Sequence, residues 1–512
     1  MGGIIIFKKA TSVFCLITLL FSFFLTSCNK QDTSSQELEE IPKKEELANQ
    51  EEPSIKNIAK VLYDSNDSLN PYALSTELNS KIVPLIFDGL VCLDESFEPL
   101  HLLAKDISRA QNIIEVSISD KAFFSDGSRV TADDVIYSFN LAKSPQYWNS
   151  FDLSKLLYAT KKDDNTVLFE AEGLNPNYKS LFTFPIVKII DDSPIGSGRY
   201  VLSRENEELV LVPSGNVRYK DCEYNIQKIE LIKNNPKASD SFRINMGEID
   251  FSYGKIESTK TMTAPYVFVP TNRLIYLGIN HSNEFLSNQK ARRAIAGAFD
   301  MSKIRAFVSL RGNDYKNSFL NPHFFRSSSF EQNLISSKAI IDSLGYKSEK
   351  SGEIRKTPSN AELKLRLLVN SENLERNLMA EEIKRQLLDV GINIELVSLP
   401  FNEYLNNLRA GNFDLYIAEY GVSSDMDLMP LLTRADSSGF GQLEESSSKA
   451  SAEQYKNGKI DEAKLNEALL NDVPFIPIAY REDLLYCNEN FAPYIVATNG
   501  DIFYNIVSFS FK

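Results

Sequence analysis

The stretch LKLRLLVNSENLERNLMAEEIKRQLLDVGINIELVSLPFNEYLNNLRAGNFDLYIA, residues 363–418, decides the fold class of this 512-residue chain. Its segments LKLRLLV, INIELV and FDLYIA are apolar or alternate between apolar and polar residues, which is typical of strands. Two helical segments lie between them and end at Gly391 and Gly411, because glycine is favoured just after a helix. Strands that alternate with helices at this spacing indicate βαβ units and a parallel sheet.

The apolar residues of the two helices predict their buried faces, because residues three or four apart lie on one side of a helix. The residues expected to face inward are Leu374, Leu378, Ile383 and Leu387 in the first helix and Tyr404, Leu405 and Leu408 in the second.

The segment EYGVSSDMDLMP, which follows the last strand, is polar and is predicted to be a loop. In open α/β sheets, ligands bind beyond the carboxyl ends of the strands. Asp425 and Asp427 in this segment are therefore candidate ligand contacts.

A second patterned stretch, FSDGSRVTADDVIYSF, begins at Phe124. Thr131 and Asp134 have the spacing of a helix capping box, with Asp in place of the usual Glu. Val135, Ile136 and Phe139 follow at helical spacing. The stretch predicts a loop that leads into a capped amphipathic helix, and none of its side chains is chemically reactive.

The N-terminus predicts export and lipid anchoring. Lys8 and Lys9 precede an apolar run that ends in Leu25-Thr26-Ser27-Cys28, which has the form of a secretory signal followed by a lipidated cysteine. The alternative is a single membrane-spanning anchor that ends at a chance cysteine, but the run is shorter than the ~20 residues such a helix requires. Residues 29–53 hold eight acidic residues against three lysines and predict a disordered tether.

Charge and motif content exclude several functions. The formal net charge is -14, so we expect no nucleic-acid partner. No motif of a hydrolase, metalloprotease or nucleotide-binding enzyme is present, and we expect neither catalysis nor a cofactor. The cysteines and histidines lack metal-ligand spacing, so no metal site is expected. Beyond Cys28 the cysteines allow one disulfide or none, and they are Cys92, Cys222 and Cys487.

Several segments, in order, resemble the peptide-binding class of extracytoplasmic solute-binding proteins that serve ABC importers. The stretch that begins at Phe124 is similar to the signature of that family. LIFDGLVCLDESFEPLHLLAKDI precedes it, and PIGSGRYVL, INMGEIDFSYG, YLGINHSNEFLSNQKARRAIAGAFDMSKI and DVPFIPIAY follow. The order is kept from about Lys60 to Tyr480, and residues 363–418 fall within it.

The resemblance implies a two-lobed α/β fold of the type II periplasmic-binding-protein class, with an extra subdomain on the first lobe. The crossings between lobes would fall near 271–276 and 474–480. The segments so predicted are a signal peptide (1–27), a lipidated disordered tether (28–53), three parts of the first lobe (54–80, 185–270 and 475–512), its outer subdomain (81–184) and the second lobe (271–474).

The resemblance also implies that the loop after the last strand holds the α-ammonium of a peptide. Its aspartate falls on Ser423 without a gap and on Asp425 with a two-residue insertion, and Asp427 is the next candidate. The family often has a tryptophan beside that carboxylate, whereas the only tryptophan here is Trp148.

Four further residues are candidates with two interpretations each. Ser75 and Thr76 fall where the family contacts the ligand backbone, or they begin a helix. Tyr420 stacks on a ligand side chain or packs within the lobe. Glu419 binds a basic ligand residue or pairs within the chain.

The function implied is that of a monomeric, lipid-anchored binding protein that captures short peptides and delivers them to the permease of an ABC importer. The alternatives are the same fold binding a murein peptide, a nickel chelate or haem, an anchored hydrolase, and an adhesive surface protein. The scarcity of histidine disfavours the metal chelate, and the absence of a nucleophile with its base disfavours the hydrolase.

Overall fold

The computed structural model describes residues 57–144, 151–190, 193–235, 239–255, 264–308, 318–326, 329–350, 352–434 and 438–507. The predicted signal peptide, the predicted tether with Cys28, and Trp148 lie outside these ranges. None of the helices within them has the length and apolar character needed to cross a bilayer.

The strands of the described ranges are β1 (Ile58–Tyr63), β2 (Val91–Leu93), β3 (Pro99–His101), β4 (Ala104–Ala110), β5 (Ile113–Ile118), β6 (Leu156–Asp163), β7 (Thr166–Ala171), β8 (Lys188–Ile190), β9 (Ser193–Ile195), β10 (Tyr200–Glu205), β11 (Glu208–Pro213), β12 (Lys228–Lys233), β13 (Phe251–Lys255), β14 (Tyr266–Ile279), β15 (Lys364–Asn370), β16 (Asn393–Leu399), β17 (Leu415–Gly421) and β18 (Phe475–Cys487). The α-helices are α1 (Glu77–Ser80), α2 (Val83–Ile86), α3 (Ala132–Lys143), α4 (Asp240–Asn245), α5 (Gln289–Ala298), α6 (Met301–Arg305), α7 (Leu334–Ser343), α8 (Leu374–Asp389), α9 (Phe401–Arg409), α10 (Met429–Leu432), α11 (Ser447–Lys456) and α12 (Glu462–Asp472).

Within the described ranges, ten strands form one mixed sheet in the order β10-β11-β12-β1-β13-β18-β14-β17-β15-β16. The long strands β14 and β18 are antiparallel neighbours in its middle. β15 pairs in parallel with both β16 and β17. The parallel βαβ arrangement predicted from residues 363–418 is therefore confirmed.

The strands β14 and β18 connect two hydrophobic cores. Val269 and Leu485 pack in a core formed by β1, α2, β12 and the strands β4 to β7, and we call this part the first lobe. Ile275 and Ile478 pack in the core formed by α5, α8 and β15, which belongs to the second lobe. The pairing of β14 with β18 is irregular just after Pro270, between the two cores.

The predicted buried face of α8 is half wrong. Ile383 and Leu387 are buried, but Leu374 and Leu378 are 61% and 38% exposed. Nine residues, about two and a half turns, separate Leu374 from Ile383, so the two pairs lie on opposite sides of the helix. Met379 takes the inward place instead.

The other helix features of this region follow the prediction. Tyr404 and Leu408 of α9 are buried, whereas Leu405 is only partly buried. Gly391 and Gly411 follow α8 and α9 with φ of 81° and 71°. This left-handed conformation is easily reached by glycine, which explains why both helices end there.

A separate four-stranded antiparallel sheet has the order β4-β5-β7-β6, and α3 packs against it. We call the described residues of 104–177, which include this sheet, the outer subdomain, and the predicted bounds 81–184 stay a prediction. The predicted capping box is confirmed: the Asp134 carboxylate accepts from the Thr131 amide at 2.8 Å, and the Thr131 hydroxyl accepts from the Asp134 amide. Val135 and Phe139 face the core. This stretch therefore contributes to the hydrophobic core of the first lobe.

Candidate ligand-binding cleft

A cavity of about 830 Å³ lies beside the strands that connect the lobes. Its walls come from α1 and α2 of the first lobe, from residues 151–153 of the outer subdomain, from residues 271–273 of β14, and from residues 421–424 after β17. Small-molecule sites typically occupy about 300–1,000 Å³. The cavity is thus large enough for a ligand held between the lobes.

Arg273, Asp483 and Tyr253 form a charged cluster in the cavity wall. Nη2 of Arg273 donates to both carboxylate oxygens of Asp483, and the Tyr253 hydroxyl donates to the same carboxylate. Burial and the Asp483 charge raise the pKa of Tyr253, so the phenol remains a donor. Nη1 of Arg273 lies 3.9 Å from Glu419, and the Arg273 side chain is 27% exposed. The cluster can therefore present a guanidinium edge to an anionic group of a ligand.

Glu419 and Tyr420 lie within a strand, because β17 continues to Gly421, so the predicted loop begins later than expected. Adjacent strand residues point to opposite faces of the sheet. Glu419 contacts Arg376 of α8, whereas Tyr420 packs on the other face against a hydrophobic cluster that includes Tyr276 and Tyr416. Glu419 and Tyr420 therefore cannot contact the same group of a ligand.

Glu419 is surrounded by arginines of the second lobe and of the connecting strands. Its carboxylate lies 3.2 Å from Nη2 of Arg481, 3.3 Å from Nη2 of Arg376 and 3.9 Å from Nη1 of Arg273. Burial opposes its ionisation, but these three positive charges outweigh burial and lower its pKa. Arg481 also binds Glu375 at 2.8 Å. The internal pairing of Glu419 is present in the structure, and its contact with a basic ligand residue stays a prediction.

Asp425 and Asp427 share one partner, Lys155, which directly precedes β6 of the outer subdomain. Nζ of Lys155 lies 2.5 Å from Asp425 Oδ2 and 2.6 Å from Asp427 Oδ2. Burial disfavours the ammonium, but the two carboxylates outweigh burial and raise the pKa of Lys155. The Asp425 side chain is fully buried. Neither aspartate lines the cavity, whereas Ser423 does.

Ser75 and Thr76 are occupied by a turn in front of α1. Thr76 is the N-cap residue, and its hydroxyl accepts from the Asn79 amide. The amide and hydroxyl of Ser75 and of Thr76 all donate to the Asp67 carboxylate. Neither residue lines the cavity, although the adjacent Leu74 and Glu77 do. Their place at the start of a helix is present in the structure, and their contact with the ligand backbone stays a prediction.

The three cysteines of the described residues form no disulfide with one another. Cys92, Cys222 and Cys487 are free thiols. Among the described residues, no three His, Cys, Asp or Glu side chains lie close enough to hold a metal ion. Burial, assisted by the Arg292 charge, lowers the pKa of His281 to about 4, so its ring is neutral at pH 7.

Three residues of this site, Arg273, Asp483 and Lys155, were not predicted from the sequence. Arg273 and Asp483 carried a signal, because each is a charged residue inside a largely apolar strand. Lys155 carried none, because it lies 270 residues before its partner Asp425.

The sequence matches known proteins over most of its length. The profile of the bacterial extracellular solute-binding proteins, family 5 Middle, matches residues 97–442. The chain is 22% identical over 492 residues to the periplasmic murein peptide-binding protein MppA of Escherichia coli, covering 85% of this chain and 86% of that protein. It is 21% identical to the dipeptide-binding protein DppE of Bacillus subtilis, covering 84% and 88%.

The fold matches solved structures as well. An ABC transporter substrate-binding protein from Sinorhizobium meliloti superposes with a TM-score of 0.71 at 15% identity, covering 89% of this chain and all of that one. This likeness confirms the predicted two-lobed α/β fold class. Members of the matching family bind solutes outside the cytoplasm and are not enzymes. This confirms the prediction of a solute-binding protein and the prediction that the chain is not an enzyme. The chain belongs to the bacterial extracellular solute-binding proteins of family 5.

Proposed function

We propose that this protein captures short peptides in the cavity between its lobes and delivers them to the permease of an ABC importer. The observation that carries the proposal is the cavity of about 830 Å³, bounded by both lobes and by the strands that connect them. The relatives named for murein peptide and dipeptide binding support a peptide as the solute.

The charged cluster in the cavity wall supports one orientation of the peptide. Nη2 of Arg273 binds Asp483, whereas Nη1 lies 3.9 Å from Glu419, which is beyond hydrogen-bond distance. A charge-assisted hydrogen bond between a guanidinium and a carboxylate is among the stronger polar contacts in proteins. We infer that Arg273 takes a carboxylate of the peptide, either its C-terminus or an acidic side chain.

Thermal melting with pools of peptides of two to eight residues tests the proposal. A ligand that binds only the folded protein stabilises it by about 2.7 kcal/mol at a hundredfold excess over Kd. We expect a rise in melting temperature with peptides and none with free amino acids. A rise in melting temperature with nickel chelates or haem, and none with any peptide, would show that the solute is a metal chelate or haem and not a peptide.

A murein peptide is the second candidate, favoured by the similarity to MppA over 85% of this chain. The same melts should include a murein tripeptide beside linear peptides of equal length. A Kd at least tenfold lower for the murein peptide would make it the preferred solute.

We infer that the lobes close on the ligand by a hinge in β14 and β18, with the lobe boundaries at 271 and 475 as the sequence predicts. The irregular pairing after Pro270 supports a hinge at this place, because a break in the ladder frees the backbone to bend. Small-angle X-ray scattering should show a smaller radius of gyration with peptide than without it. An unchanged radius with bound peptide would reject the hinge.

We also propose that the protein is monomeric and is held at the membrane by a lipid on Cys28. The support is the basic and apolar N-terminus followed by Leu-Thr-Ser-Cys. Cys28→Ser should release the protein from the membrane fraction or block its processing, with Cys222→Ser as the matched control. Normal cleavage and membrane retention of Cys28→Ser would contradict the anchor.

A further inference from the structure

The loop after β17 already holds a positive charge that comes from the chain itself. Lys155 reaches from the outer subdomain to this loop of the second lobe and binds Asp425 at 2.5 Å and Asp427 at 2.6 Å. Its side chain is 14% exposed. An ammonium thus sits between the two carboxylates, with no contribution from a ligand. We call these three residues the lysine clasp.

The Asp425 carboxylate has a partner on each oxygen. Oδ2 accepts from Lys155, and Oδ1 accepts from the Ser423 hydroxyl at 2.6 Å. The side chain is fully buried and does not line the cavity. A ligand ammonium in the cavity therefore meets residues 421–424 and not this carboxylate.

The backbone around the lysine clasp is fixed in the orientation that the clasp needs. Met426, between the two aspartates, is buried and has φ of 58°, an unusual conformation for a residue with a side chain. The Asn175 side-chain amide donates to the Asp425 carbonyl at 2.8 Å. The other oxygen of Asp427 accepts from the Met429 amide at 2.8 Å. The outer subdomain and the loop itself thus both hold the carboxylates toward Lys155.

We propose that Lys155 is a specificity-determining residue: it occupies Asp425 and Asp427 in place of a peptide's α-ammonium, so these two carboxylates do not contribute to a preference for free over blocked N-termini. The inference rests on the proposed function, namely that the cavity binds peptides. It concerns which end group of the peptide is recognised.

Displacement of Lys155 by the ligand is the competing arrangement, and the burial of the site opposes it. A ligand ammonium that took both aspartates would leave Lys155, which is mostly buried, without its carboxylate partners. An unpaired buried charge costs free energy, and this cost offsets the free energy of the new ion pair with the ligand. The exchange therefore brings no net gain in binding free energy. The other carboxylate oxygen of Asp425 already accepts from the Ser423 hydroxyl.

The first experiment measures, by isothermal titration calorimetry, the ratio of Kd for N-acetylated and free forms of one bound peptide. We expect Asp425→Asn to change this ratio by less than threefold. A ratio above ten in the parent that falls to one in Asp425→Asn would overturn the proposal. If Asp425→Asn does not fold, Asp427→Asn replaces it, because Asp427 is partly exposed.

The second experiment tests the lysine clasp without any ligand, by a double-mutant cycle on melting temperature with Lys155→Met and Asp425→Asn. We expect each single variant to melt several degrees lower and the double variant to melt no lower than the worse single one. Lys162→Met, which removes an exposed lysine of β6 paired with Glu115, is the control and should change little. Additive losses would overturn the lysine clasp.

The two experiments separate the inference from the proposed function. If no peptide binds the parent protein, the proposed function fails, and the double-mutant cycle alone decides whether the lysine clasp exists. If peptides bind and the losses are additive, the proposed function stands and the inference fails.

Discussion

Glu419→Gln tests whether this glutamate holds the second lobe together or recognises a ligand. The substitution keeps the shape of the side chain and removes its charge. The parent carboxylate is 17% exposed and lies within 4 Å of three arginines, of which Arg481 is 6% exposed. Internal pairing predicts a loss of stability in the absence of ligand.

The magnitude follows from what remains around the arginines. Removing one partner of a buried ion pair costs about 3–5 kcal/mol. Arg481 keeps Glu375, and Arg273 keeps Asp483, so we expect a loss near the lower end, about 3 kcal/mol at pH 7.

The pH dependence has a definite sign. The pKa of Glu419 is lowered in the folded protein, because the arginine charges outweigh burial. Its contribution is therefore complete above the unfolded pKa of about 4.3 and is lost as the pH falls through the lower folded pKa. The difference between parent and variant should stay constant from pH 7 to pH 5 and shrink below pH 4.

Urea unfolding followed by circular dichroism measures this difference. Glu395→Gln on β16 of the same sheet is the matched control, because Glu395 pairs with Lys364 at the surface and should contribute little. Unchanged stability of Glu419→Gln, together with a selective loss of binding to peptides that contain Lys or Arg, would refute the internal role and restore the ligand role.

Two further predictions concern buried positions. In Gly278→Ala the new Cβ would lie 2.1 Å from the Tyr416 ring, so the free energy of unfolding measured in urea should fall by about 1–3 kcal/mol. Gly254→Ala is the control, because its new Cβ would lie at an ordinary 3.6 Å from the nearest ring atom and stability should hold. Equal stability of both variants would contradict the packing. Because burial lowers the pKa of His281 to about 4, the protein should lose about 2 kcal/mol of stability as the pH falls from 6.5 to 5, and His281→Gln should remove this slope; a slope that persists would place the titration elsewhere.

Local patterns predicted the local structure well. The parallel strands of residues 363–418, the capping box of Thr131 and Asp134, and the helix ends at Gly391 and Gly411 depend on neighbours within a few residues. The buried face of α8 was half wrong because Leu374 and Leu378 have suitable spacing between themselves but lie half a turn from Ile383.

The site was less predictable, because its contacts join distant segments. Asp425 was singled out as a carboxylate at the end of a parallel strand, and its role with a peptide remains a prediction. Its partner in the structure comes from a different subdomain. Glu419 and Tyr420 were both assigned to a loop, where either could face a ligand. The pairing of β17 with β14 extends to Gly421 and turns them to opposite faces.

The lysine clasp and the cavity share two chain segments, and this links closure to binding. Residues 151–153 line the cavity and lead to Lys155, while residues 421–424 line it and lead to Asp425. In the hinge closure proposed above, the outer subdomain and the second lobe approach each other, and we expect the contact of Lys155 with Asp425 to form in that movement. The free energy of the ion pair therefore favours the closed form regardless of the end groups of the ligand. A ligand needs only to prefer the closed form by its remaining contacts, since a population shift depends on differential affinity for the two forms. In this arrangement, recognition depends on the peptide's backbone, its side chains and a carboxylate at Arg273, and the N-terminus is left without a charged partner at Asp425.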